Sequence, residues 1–149
     1  MAQEYGIQFR VRGDDVYYHI SWSPLIKADR WTINARVPAM GGVYEIYWRD
    51  DHHKLRMLAV GDTHYGGLRS ELRRITDPEL ITEPGLIKIL EEREIWFRYA
   101  LSDSTAIMAD VVWFFRATYF PENPGVDHSG RYKKIFLQET EPDKLIWVP

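Results

Sequence analysis

The 149-residue chain contains no cysteine. That excludes disulfides, thiolate metal sites and a cysteine nucleophile, and it fits a reducing compartment. Nor does one sign of charge dominate: 19 Lys and Arg stand against 22 Asp and Glu, a formal net charge of −3. A protein held on nucleic acid by its overall field would be basic. Any such role must therefore come from a local patch. No apolar run approaches the roughly 20 residues of a membrane-spanning helix. The N-terminal stretch MAQEYGIQFRVRGDD carries charge and alternation where a signal peptide needs an unbroken apolar segment. Internal repeats, low-complexity tracts and linkers are missing too. The expectation is a soluble, cytoplasmic protein with no membrane partner, one domain over residues 1–149.

Hydrophobic residues at 45% and charged residues at 28% fit a globular chain with a real core. Aromatics at 14% are abundant, so some rings belong to the core and others can line a cleft. Residues 7–12, IQFRVR, alternate apolar and polar, and VYYHISW (16–22) follows a Gly-Asp-Asp turn, which predicts a hairpin. SPLIKADR reads as a connection and WTINARV (31–37) as a short strand ending at Pro38. GVYEIYW and KLRMLAVG predict two strands. Leu68, Leu72 and Ile75 at spacings of four and three predict a helix over 67–75, and PGLIKILEER (84–93) a second with proline in its first turn. EIWFRYAL reads as a strand and 102–119 as the longest helix, capped by Ser102 or Asp103. YKKIFLQE and LIWVP close the chain as strands.

The longest helix holds an acid in an apolar setting. Asp110 shares a stripe with Ile107 and Phe114, so its carboxylate points where apolar side chains point. A buried carboxylate needs a cationic partner, a metal, or the edge of a cleft. Arg116 and Arg98 are the candidate structural partners.

Taken together, GVY at 42–44, AVG at 59–61, Leu68-Arg69 at the start of a helix, Asp110 in an A-x-x-A-D frame, and Pro121 with Asn123 in FPENP resemble the GIY-YIG nuclease family. The resemblance covers about residues 41–123. It implies an α+β fold in which a small antiparallel sheet carries the two name motifs on adjacent strands and is flanked by helices. Residues 1–30 and 130–149 lie outside it and supply extra terminal strands. These either extend the sheet or form the edge of a homodimer, since free strand edges invite pairing.

The resemblance also implies a chemistry. Phosphodiester hydrolysis needs an activated water, a Lewis acid and stabilisation of phosphoryl charge. Tyr44 would position or deprotonate the water, Arg69 would clamp the phosphate, and Asp110 would hold Mg2+ or Mn2+. Gly42 would keep the backbone open at the cleft. Arg73, Arg74 and Asn123 would contact DNA or RNA. The second motif's tyrosine is replaced by Ala59, and Tyr65 in the following loop is the ring that can enter instead; Tyr47 points to the opposite face from Tyr44. The acid is Asp rather than Glu, and fourteen residues separate Tyr44 from Ala59.

Other constellations point less far. RDDHH (49–53) with His64 contains metal-ligand types but reads as a solvated hairpin tip. Arg69, Arg73, Arg74, Arg49, Lys54 and Arg56 form either a phosphate-contacting patch or an ordinary charged surface balanced by Glu71. Trp22, Trp31, Trp48 and Trp147 stack on bases only where exposed, and core positions are the simpler reading. Three functions remain open: a metal-dependent nuclease, a catalytically inactive relative that binds nucleic acid or protein, and another hydrolase for which no motif speaks.

Overall fold

The computed structural model describes residues 5–142 together with the backbone of Trp147 and Val148. Its N-terminal alternation produces the expected hairpin. β1 (Ile7–Arg12) and β2 (Asp15–Ser21) pair antiparallel around Gly13, which turns the chain at φ 61°. Val16, Tyr18 and Ile20 point inward from β2. β7 (Lys134–Thr140) then adds to β2 in parallel, giving a three-stranded sheet in the order β1-β2-β7.

The larger sheet has the order β3-β6-β4-β5-β8. β4 (Gly42–Arg49) runs antiparallel between β5 (Leu55–Thr63) and β6 (Ile95–Leu101). The two-residue strands β3 (Ile26–Lys27) and β8 (Trp147–Val148) lie at its edges. Helices α1 (Arg30–Arg36), α2 (Gly67–Thr76) and α3 (Pro84–Glu92) cover one face. There Ile33, Leu68, Leu72 and Leu90 pack with Tyr44, Ile46, Phe97 and Tyr99.

α4 (Thr105–Tyr119) covers the other face. Met108, Val111, Val112 and Phe115 meet Val43, Val60 and Ala100 from the large sheet, and Val16, Tyr18 and Ile20 from the small one. α4 is thus sandwiched between two sheets, which is why it is apolar around most of its circumference. The architecture is α+β, with four α-helices and two small sheets among the described residues. Among the described residues no helix is long and apolar enough to cross a membrane.

Two expectations are corrected. Residues 31–36 are helical, not a strand, with Val37 as the C-cap: Asp29 caps the start of α1 by accepting from Thr32 N at 2.9 Å and Thr32 Oγ1 at 2.7 Å. Ile33 and Val37, four apart, then fall on its buried side. The cap of α4 is Ser104, whose Oγ accepts from Ile107 N at 3.2 Å, while Ser102 supports it by accepting from Ser104 N. The terminal additions divide their roles. β8 extends the large sheet, whereas β1, β2 and β7 build a separate one.

Candidate functional site

GVY and AVG lie on adjacent antiparallel strands, with Tyr44 directly opposite Gly61. The Tyr44 ring lies across that glycine, where a Cβ would stand only 2.5 Å from Oη. Gly42 is equally hemmed in. A Cβ there would run into the Ala100 carbonyl and come within 2.7 Å of Leu68 Cδ1. These glycines permit close packing, which corrects the expectation that Gly42 leaves the backbone open at a cleft. Tyr44 itself is 7% exposed. Burial, with the carboxylates of Glu71 and Asp62 nearby, pushes its pKa up. It is held as the neutral phenol, unsuited to deprotonating water.

Arg69 is turned to structural use as well, since its Nε donates to the Val37 carbonyl at 2.8 Å and ties α2 to the end of α1. Tyr65 is 91% exposed at the loop tip, and its carbonyl accepts from Thr63 Oγ1 at 3.1 Å. Arg74 Nε donates to Glu71 Oε1 at 2.9 Å. Thr63, Tyr65, Ser70, Glu71 and Arg74 line a shallow depression of about 180 Å³. Arg73 belongs to a different one, beside Asp29, Arg30 and Glu79. Asn123 is exposed in the turn after α4, where its N–H donates to the Phe120 carbonyl at 3.1 Å.

Asp110 lies elsewhere altogether. It is fully buried and faces the small sheet. Oδ2 accepts from the Tyr18 hydroxyl at 2.5 Å, Oδ1 accepts from Ser129 N at 2.7 Å, and Arg131 Nη2 stands 3.8 Å from Oδ2. Neither expected arginine reaches it. Arg116 donates through Nε and Nη2 to the Val60 carbonyl at 3.1 and 2.9 Å, and through Nη1 to Pro124 O at 3.3 Å. Tyr44 and Arg69 therefore sit on the α1–α3 side of the large sheet, and Asp110 on the far side of α4. The three expected site residues do not converge. Both Asp110 oxygens are engaged, so the pocket does not suit Mg2+ or Mn2+. Among the described residues no cluster of three or more His, Asp or Glu is placed to hold a metal.

Sequence reasoning missed the second buried charge system. Glu45 on β4 is fully buried opposite Arg98 on β6, itself 4% exposed. Glu45 Oε1 accepts from Arg98 Nε at 2.7 Å and from the Tyr47 hydroxyl at 2.7 Å, Tyr47 sharing the face of Glu45 and not that of Tyr44, as expected. Arg98 continues to Glu139 at 3.3 Å and Glu141 at 2.9 Å, and its guanidinium lies 4.5 Å from the Trp22 ring centroid. Trp22 Nε1 donates to Glu139 Oε1 at 2.7 Å. Burial works against the Arg98 charge, but Glu45, Tyr47 and Glu141 outweigh it and raise its pKa. The network is a polar strut between the sheets. Its signal was present as an acid inside GVYEIYW and an arginine inside IWFRYAL.

The remaining charged constellation is mostly paired. Asp50 accepts from His52 N, Lys54 N and Arg56 Nε at 2.8, 2.9 and 2.9 Å, closing the β4–β5 hairpin, and Asp51 pairs with Arg93. Arg49 pairs with Glu94 at 3.6 Å. Of the tryptophans, Trp22 is core, Trp31 is 75% exposed beside Arg30, and Trp48 lies beneath Arg56 and Arg93. The Trp147 side chain lies outside the described residues.

The outer face of the small sheet is differently made. Strand register sets its side chains in cross-strand rows. One row is Arg10, Tyr17 and Phe136. The Arg10 guanidinium lies 5.4 Å from the Tyr17 centroid, and Tyr17 stacks on Phe136 at 4.8 Å and 11°. The flanking rows are Gln8, His19 and Gln138 on one side, and Arg12, Asp15 and Lys134 on the other. A depression of about 390 Å³ runs over this face.

No curated protein and no solved structure matches the chain. A family model described as "Uncharacterised protein" matches residues 6–149, both sheets included, and the chain belongs to that family.

Proposed function

We propose that this chain is a GIY-YIG-like domain that binds nucleic acid and does not cleave it. The motif strands β4 and β5, the helix carrying Arg69, strand β6 and the acid-bearing α4 follow one another in the order the resemblance implies, which supports the core assignment. The observation that carries the non-catalytic reading is the placement of Asp110. Hydrolysis would require the phenol, the guanidinium and the carboxylate to reach one phosphate. Here the carboxylate is sealed against Tyr18 and Ser129 on the other side of the sheet from Tyr44.

Nucleic acid is favoured as the partner because the exposed chemistry pairs aromatic faces with cations. Arg10, Tyr17 and Phe136 stand in one row and Arg12, Asp15 and Lys134, two cations about one acid, in the next, which suits bases and phosphates better than an apolar protein surface. The test incubates the chain with single- and double-stranded DNA and RNA in Mg2+ or Mn2+, and follows both complex formation and strand length. Binding without shortening is expected. Cleavage that Arg69→Ala and Tyr44→Phe both remove would overturn the non-catalytic reading, and no binding at low salt would overturn the nucleic-acid reading.

A further inference from the structure

Resting on that reading, we infer that the small sheet takes an unpaired nucleobase at its β7 edge, stacked on Phe136, with the neighbouring phosphates held by Lys133 and Lys134. The column begins at Arg10, passes through the Tyr17 ring and ends at Phe136. Arg10 covers one face of Tyr17 and Phe136 the other. Among the described residues only Tyr17 stacks on Phe136, which remains 43% exposed. A ring of this kind on an outer strand invites a fourth planar group.

The surroundings fit a nucleotide. Phe136 also lines a second depression of about 380 Å³ between β7 and α4, whose walls include Trp113, Thr118, Lys133 and Lys134. A base entering from the column would thus have a groove beside it carrying two cations. Lys133 stands 3.6 Å from Asp14, both side chains being largely exposed, a pair weak enough for a phosphate to displace. Along the sheet, the row Gln8, His19 and Gln138 supplies hydrogen-bonding edges next to the stacking row. Bases in a duplex have both faces covered, so the geometry selects single strands.

The experiment uses the full chain and measures fluorescence anisotropy with a labelled oligothymidine, an oligouridine and a blunt duplex of equal length, across a salt series. Wild type is expected to prefer the single strands. Phe136→Ala should weaken their binding roughly 5- to 150-fold, with Phe136→Trp restoring it. Lys133→Gln with Lys134→Gln should reduce the log–log salt slope by about 1.4. Because Phe136 is half exposed, these variants should fold, which circular dichroism checks. If wild type binds but Phe136→Ala binds equally well, the sheet site is wrong while nucleic-acid binding stands. If wild type binds none of the probes, both readings fall. If light scattering shows a dimer that Phe136→Ala dissociates, the face is occupied by a second copy and the proposal is overturned.

Discussion

The Tyr18 hydroxyl donates to Asp110 Oδ2 at 2.5 Å, joining the small sheet to the one acidic side chain of α4. Tyr18→Phe removes a donor from a buried carboxylate and should cost about 1–3 kcal/mol in urea unfolding. Asp110→Ala leaves that hydroxyl and Ser129 N–H without their acceptor and should cost about 3–5 kcal/mol. The wild-type melting temperature should be the same with and without Mg2+. A cation-induced rise that Asp110→Asn abolishes would contradict this placement.

Gly61 and Tyr44 are a matched pair. A methyl at Gly61 would meet Tyr44 Oη first and the ring carbon behind it next. Gly61→Ala should destabilise by about 1–3 kcal/mol through overpacking. Adding Tyr44→Phe removes the nearest atom, so the double variant should be more stable than the sum of the two single effects predicts. Strict additivity would show that the two residues do not collide.

Among the described residues, Arg98 is the cation paired with Glu45 in the buried strut. Arg98→Met strands that carboxylate and should cost about 3–5 kcal/mol. Glu45→Gln introduced into the same background removes the stranded charge and should recover most of the loss. A single-variant cost below about 1 kcal/mol would show that this ion pair does not hold the strut together.

Asp50 and Glu139 give opposite pH dependences. The Lys54 N–H, with Arg56 and His52, holds the Asp50 carboxyl below its usual range. Its contribution is present above the ordinary carboxylate pKa and is lost as pH falls through the lower folded value. Glu139 is pushed up by burial, despite the Trp22 hydrogen bond and Arg98. Its contribution is present below the ordinary value and is lost as pH rises through the higher folded one. The advantage of wild type over Asp50→Asn should therefore shrink as pH falls below the ordinary carboxylate range, and Glu139→Gln should gain on wild type as pH rises above that range. Parallel pH curves for wild type and both variants would refute the assignments.

Periodicity revealed most elements because their apolar spacing is local. The hairpin of residues 7–21, the motif strands and the helices at 67–76 and 84–92 all show it. The stretch 31–37 misled because its β-branched and aromatic residues suit a strand, while a single capping carboxylate at Asp29 decided for helix. The site was less legible for a different reason. A stripe containing Asp110 says that the acid is buried, but a helix between two sheets has two buried faces, and only tertiary structure selects one. Sequence alone makes Arg98 a candidate partner for Asp110, yet its partner, Glu45, lies on the neighbouring strand and pairs through register rather than sequence spacing.

The parallel pairing of β7 with β2 brings segments far apart in the chain into one sheet. His19 meets Thr140, and Trp22 meets Glu139, across 121 and 117 positions of chain. Closing so long a loop is slow relative to local hairpin and helix formation. On a ribosome the motif strands and α4 can assemble before β7 is made, and the Tyr17–Phe136 column comes into being only after β7 emerges. Cutting the chain before Lys134 should leave the large sheet's central strands and erase the Tyr17–Phe136 column, so this surface reports that β7 has docked on β2.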